Sequence, residues 1–453
     1  MRFRTSFVFV AVTAVLSTVL VGPSAHAGTF PAWGTVPSPN RGQLANAQLG
    51  VSVVAPNDAW AVGEYNPGLP PTVTGRRTLT EHWDGAKWRI VRSPNASFAG
   101  VDATFLKGVD AVAANDVWAV GFGEDFGSLR SATLTLHWDG TSWTKVPSPN
   151  PAGHGLPNDL YAVKAISPTQ VFAVGDFGFP GDALILQWNG SSWARVANHC
   201  GTGLRGIDAL STDDAWAVGS GTTCHFNGRT WSVVPSPKPR PAYGEIAYSL
   251  LDVRALAPDD VWAAGTRTIE QGEHLFTLPL VEHWNGITWT ATYSVPGQAL
   301  DGIDALSAND VYAVGTDGAY PMVAHFDGSG WTLVPSPQQG GELQALDTTP
   351  GASVLWAVGS TYAGGGKTLV EQAPSATQGT VVGNTTVSGA TVTWIGRVNG
   401  STEADVFGNY FAAGLVAGRY TFIASNPGCD PAVAKVMVVA GQTIAQNLDV
   451  SCT

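Results

Sequence analysis

Charge is scarce in this chain. Asp, Glu, Lys and Arg together make up 13% of the residues, and 23 basic residues stand against 35 acidic ones. The deficit of positive charge excludes the usual electrostatic grip on nucleic acid or anionic lipid. Methionine is rarer still, at three residues, and there are only four cysteines. These fall as two local pairs, Cys200 with Cys224 and Cys429 with Cys452, at no spacing used by zinc sites, so two disulfides in an oxidising compartment are expected. No nucleophile motif, phosphate-cradling glycine loop or metal-ligand cluster is present, and neither a cofactor nor a metal is expected. What the chain has in quantity is glycine (54), proline (29) and tryptophan (17), the composition of an all-β protein rather than of a disordered one.

The one long apolar run is at the start. Met1-Arg2-Phe3-Arg4 precedes the stretch Ser6 to Val21, and Ala25-His26-Ala27 supplies a small-x-small cleavage site. Residues 1–27 therefore read as an export signal, and the mature protein as secreted, with no membrane span after its removal. Losing Arg2 and Arg4 takes the formal charge from −12 to −14.

Seven times the chain repeats one phrase: NDAWAVG at 57–63, NDVWAVG at 115–121, TQVFAVG at 169–175, DDAWAVG at 213–219, DDVWAAG at 259–265, NDVYAVG at 309–315 and SVLWAVG at 353–359. Six units carry a second phrase, such as HWDGAKW at 82–88 and HWNGITW at 283–289. Its Asp-Gly or Asn-Gly pair predicts a hairpin with a type I′ turn, which has positive φ at both central residues. A period near 50 residues with four short strands per unit is that of a seven-bladed β-propeller. The seventh unit lacks a fourth strand, and Pro31 to Asn40 matches the outer-strand sequence, so an N-terminal strand is expected to close the last blade. The domains are then 28–372, a linker at 373–378, and a small β-sandwich at 379–453.

His82, His137, His225, His283 and His325 occupy one slot in five different units and cannot meet on one metal ion. A hydrogen bond to a turn group is their expected role, and the turn acids Asp58, Asp116, Asp214, Asp260 and Asp310 are read the same way. On the innermost strands, Ser52, Asp110, Lys164, Asp208, Arg254, Asp304 and Gln344 are placed at one equivalent position, and the alternating signs of the middle five predict a belt of ion pairs around the axis. The connection between second and third strands varies most, from 6 to 19 residues between the glycine of one phrase and the His/Gln slot of the next. Variation collected on one face of a rigid scaffold marks a binding face. The candidate ligand-binding residues there are Glu64, Tyr65, Arg76, Arg77, Arg130, Glu270, Glu273, His274 and Tyr320.

In blade layout, residues 28–372 resemble secreted bacterial propellers of the kelch and galactose-oxidase type, although the copper ligands of galactose oxidase have no counterpart. Residues 379–453, with Asp405-Val406-Phe407-Gly408-Asn409-Tyr410, Leu415-Val416-Ala417-Gly418-Arg419-Tyr420-Thr421 and Ala440-Gly441-Gln442-Thr443, resemble the carboxypeptidase regulatory-like, transthyretin-like domain. That resemblance implies adhesion or spacing rather than a reaction. The leading functional expectation is a non-catalytic binding protein for a carbohydrate, cell-wall or protein ligand. The alternative is a hydrolase or lyase using Glu270, Glu273 or Glu64 as acid and His274 as base.

Overall fold

The computed structural model describes residues 33–452 except 43, 69–74, 99, 129, 238–243, 273, 293–294, 296, 338, 349–353, 363–365, 374–377, 397–399, 417 and 439–442. The export signal at 1–27 and most of the linker lie outside the described residues. Those described are strands joined by turns, with one turn of 3₁₀ helix at Gly153–Gly155. Among them no helix is long and apolar enough to cross a membrane.

Seven antiparallel sheets follow one another in the chain. Their first strands are Asn46–Ala55, Ala103–Ala113, Asn158–Ser167, Leu204–Ser211, Glu245–Ala257, Ala299–Ser307 and Gly341–Thr348. Sheets one to six order four strands as they occur in sequence, the fourth sheet adding a fifth at its outer edge, whereas the seventh takes its fourth strand from Gly34–Thr35, paired with Thr368–Ala373 through Gly34↔Gln372 and Thr35↔Glu371. First strands of successive sheets touch in order, and that of the seventh touches that of the first. The arrangement is propeller-like.

The AWAV core of the repeat explains how the sheets stack. Side chains alternate across a strand, so Trp60 and Val62 enter a core with Leu106, Leu134 and Trp143 of the second sheet, while Ala59 and Ala61 enter another with Trp356 and Val358 of the seventh. A large face thus meets a small one at each junction. Trp60 lies 4.8 Å from Trp138 and edge-on to Trp143 at 5.1 Å; Trp118 repeats this against Trp188 and Trp193. Each such ring removes about 150–250 Å² from water, on the order of 4 kcal/mol before entropy is counted.

The histidine slot is structural, as its spacing predicts. His82, His137, His225, His283 and His325 each bond the turn acid of their own sheet at 2.7–2.8 Å. The Asp-Gly turns differ from expectation. Trp83 pairs with Trp88, leaving a four-residue loop, and positive φ occurs at Gly85, Gly140, Gly190, Gly228, Gly286 and Gly328 but not at the residue before each. That Asp or Asn instead caps the loop through its side chain: Asp84 Oδ1 accepts from the amides of Ala86 and Lys87 at 3.0 and 2.9 Å. An Asx cap needs no left-handed residue at the first position.

The ionic belt forms, with one correction. Lys164 Nζ lies 3.0 Å from Asp208 and 3.7 Å from Asp110, and Arg254 Nε lies 3.0 Å from Asp304. In the seventh sheet the residue opposite Trp356 is Asp347, not Gln344, which is the bulged residue three positions earlier on the same strand. The acids do more than pair. Asp110 accepts from the amide of Ala165, Asp208 from Ala255, Asp304 from Thr348 and Asp347 from Val53, at 2.6–2.9 Å. Each donor stands one residue past the belt position of the next sheet. Lys164 and Arg254 hold the Asp208 carboxyl below its usual range although burial opposes this.

Cys200–Cys224 and Cys429–Cys452 are both bonded, with Cα separations of 5.5 and 4.3 Å. The first anchors Asn198–His199, a fifth strand running parallel to Trp231–Val233. Residues from 378 onward form a three-stranded sheet (Gln378–Asn384, Asn409–Val416, Thr443–Ala445) and a four-stranded one (Gly400–Glu403, Thr391–Ile395, Gly418–Ser425, Ala432–Val438). Val381, Tyr410 and Leu415 from the first pack with Val392, Trp394, Phe422 and Val436 from the second in one core.

Two predictions follow from this packing. Asp208→Ala leaves Lys164 and Arg254 short of a buried counter-charge and Ala255 short of an acceptor, so urea titration should show a loss of about 3–5 kcal/mol; an unchanged midpoint would mean the belt is solvated. The second concerns Glu81, Glu282 and Glu371, which lie buried at one equivalent place on third strands, and burial pushes each carboxyl up to about 8. A carboxyl raised on folding gives stability that is complete below its unfolded value and is lost as pH rises through the folded one. The melting temperature should therefore be higher at pH 5.5 than at pH 8.5, and the triple variant with Gln at 81, 282 and 371 should flatten that slope. A wild-type melting temperature that climbs across this interval would contradict the assignment.

Candidate functional site: the mouth of the axial channel

Every first strand carries an irregularity at the same place. The register shifts at Gln48/Gly50, Leu106/Gly108, Leu160/Ala162, Leu204/Gly206, Leu250/Asp252, Leu300/Gly302 and Leu343/Ala345. The extra residue in each bulge is Leu49, Lys107, Tyr161, Arg205, Leu251, Asp301 or Gln344, and all seven line one axial cavity of about 160 Å³. A bulge leaves its extra residue outside the ladder and re-aims its side chain. The following residue is small in most sheets because the next strand is close: a Cβ on Gly108 would sit 3.0 Å from Ala162 Cα, and one on Gly206 2.7 Å from Asp252 Cα.

These seven positions form a ring at the end of the channel where second and third strands connect. Three residues further along each strand lies the belt. The two rings differ in kind. Belt side chains are engaged in holding sheets together, whereas the mouth ring mixes two leucines, a tyrosine, an amide, two cations and an acid.

The sharpest chemistry lies on the second, third and fourth sheets. Arg205 stacks on the Tyr161 ring at 3.8 Å and bonds Asp176 through Nη2 at 3.2 Å, while its buried Nη1 has no hydrogen-bond partner among the described residues. Lys107 Nζ sits over Phe105 and Phe122 at 5.3 and 6.0 Å and makes no ion pair among the described residues. Burial pushes its amine down, with Glu64 acting against that. Behind the wall, Glu64 is raised by burial and bonded to Arg76, and Asp159 is pushed up to about 6 by burial while accepting from the Tyr161 hydroxyl at 3.4 Å. Across the channel, burial and neighbouring Glu342 push Asp301 up to about 7.

Of the residues singled out from sequence, Glu64 and Arg76 come together beside Lys107. Tyr65 lies apart, under Arg41 at 4.8 Å, on a groove of about 700 Å³ that also takes in Trp138 and Trp143. Arg77 bonds the carbonyls of Arg76 and Asp102, and Arg130 bonds Asp125 at 2.9 Å. Glu270 and His274 are exposed at the tip of a hairpin whose ladder runs on to Gln271↔His274, so this connection is strand rather than loop. Tyr320 is exposed and closes a turn on Asp317. Glu273 lies outside the described residues. Lys107, Tyr161, Arg205 and Asp301 were not anticipated, although the recurring x-Gly-(Val/Ile)-Asp-Ala, seen as KGVDA, RGIDA and DGIDA, marks three of their strands.

Among the described residues no group of three or more His, Cys, Asp or Glu is placed to hold a metal ion. No family model matches the chain, and no curated protein matches it. Among solved structures it is similar to the extracellular domain of a putative hybrid two-component system from B. thetaiotaomicron, at 11% identity and a TM-score of 0.44 over 88% of this chain. It spans about half the length of that protein, 48%.

The contrast between rings predicts opposite responses. Lys107→Met removes a half-buried charge that has no ion pair among the described residues, and should leave the melting temperature unchanged or raise it. Lys164→Met strands two buried carboxyls and should cost about 3–5 kcal/mol. Thermal unfolding of the two variants side by side checks this; a Lys107 variant as damaged as the Lys164 one would give the mouth residue a structural role.

Proposed function

We propose that the seven sheets are blades of a secreted β-propeller of the kelch type, spanning 28–372 and closed by the N-terminal strand, with a carboxypeptidase regulatory-like module after it. In this reading the protein is a non-catalytic binder that holds a carbohydrate, cell-wall or protein ligand at the channel mouth and the face around it.

One observation carries the reading. Seven bulges turn seven side chains toward one cavity, and those side chains are chemically diverse. In the belt each residue type answers to its neighbours, acids accepting amides and cations bridging acids, whereas no such pairing dictates the mouth. Diversity at equivalent places on a rigid scaffold is what recognition requires. Disulfides and the acidic surface fit an extracellular setting.

The test is binding of the mature protein to an array of glycans and cell-wall polysaccharides, with product analysis of each hit. Binding without turnover, weakened at least tenfold in Lys107→Met/Arg205→Gln, is the expected result. Turnover that Glu270→Gln or His274→Ala abolishes would replace the binder by an enzyme, and hits indifferent to the mouth variants would move the site elsewhere.

A further inference from the structure

We infer that the channel mouth recognises a carboxylate, held by Lys107 and Arg205 on either side of Tyr161; this rests on the mouth being the ligand site. The three side chains come from adjacent sheets and line the same cavity, whereas Glu64, Asp159 and Asp176 stand behind them and do not line it. Those acids are already engaged: Glu64 with Arg76, Asp176 with Arg205 Nη2, and Asp159 with the Tyr161 hydroxyl. On these two cavity-lining residues, Lys107 and Arg205, capacity is left unfilled among the described residues: an Nζ without an ion pair and a buried Nη1 without an acceptor. A buried guanidinium donor without an acceptor is costly, and an anionic oxygen is the group that best relieves it, because charge-assisted bonds are about twice as strong as neutral ones.

The ring below sets the depth. The belt and the residue beside it bring Asp110, Asp208, Asp252, Asp304 and Asp347 to the same cavity against Lys164 and Arg254. A carboxylate drawn in by Lys107 and Arg205 meets an excess of acid further down and stops at the mouth. The cavity volume, about 160 Å³, suits one acidic headgroup with the rest of the ligand lying over the surrounding face. Such a carboxylate has two sources, an acidic sugar or the terminus of a peptide.

The experiment uses the mature protein with its lysines reductively ¹³C-dimethylated, which keeps their charge, and reads the Lys107 methyl resonance, assigned by its loss in Lys107→Met. D-Glucuronate and N-acetylalanine are titrated separately, with D-glucose as the neutral control. Saturable movement of the Lys107 signal with one or both acids, none with D-glucose, and at least tenfold weaker binding in Arg205→Gln is the expected result. The acid that binds more tightly identifies the source. A signal that neither acid moves, or that D-glucose moves equally, overturns the proposal. If array ligands still bind in a Lys107-dependent manner while both acids fail, the mouth remains the site and only the carboxylate assignment falls.

Discussion

The structure depends on a bond that crosses from sheet to sheet: an aspartate of one first strand accepting a backbone amide of the next. Innermost strands are edge strands. Their channel-side amides have no ladder partner, and a buried amide without an acceptor is costly. Asp110, Asp208, Asp304 and Asp347 supply the missing acceptors to Ala165, Ala255, Thr348 and Val53. Where the slot holds Lys164 or Arg254, the cation bridges the acids on either side instead. Asp252, two residues before Arg254, takes the amide of Ile303. The edge and the belt are thus one solution to one problem: acids accept the amides, and Lys164 and Arg254 hold Asp208 between them below its usual range, while burial raises Asp110, Asp304 and Asp347.

Most of the repeat was legible because strand chemistry is local. The alternation in AWAV, the His slot and the turn acids each follow from period two and from what Asp and His can bond. The places where sequence reading failed share a cause, a change of length by one or a few residues. Gln344, taken for the belt position, is the bulged extra residue three places before Asp347. The turns after Trp83 and its equivalents are four residues long and not two, so the Asp-Gly pair caps a loop through a side chain instead of forming it with two left-handed residues. The connection around Glu270 and His274 reads as loop by its separation, yet the flanking Thr266, Thr268, Ile269, Phe276 and Thr277 extend the ladder.

The mouth ring was missed for a deeper reason. In a regular strand, residues three apart face opposite ways, so Lys107 and Asp110 do not read as lining one cavity. A bulge between them breaks that parity. Nothing in hydrophobic alternation announces a bulge, but a small residue where the neighbouring strand comes close does, and Gly50, Gly108, Gly206 and Gly302 all have adjacent backbone within about 3.2 Å of a would-be Cβ. The glycine that follows four of the seven variable residues is the sequence trace of the site.

Two rings three residues apart on the same strands therefore answer different demands. The belt must close the arrangement, so its members are chosen against their neighbours and leave little capacity unmet. The mouth has no such task, since the bulge has already taken its residues out of the ladder, and each sheet is free to present what it will. Lys107 illustrates the consequence. Its amine lies over two phenyl rings and makes no ion pair among the described residues, while burial works against its charge. Such a group belongs with strained and incompletely satisfied features, which persist where something outside the fold completes them.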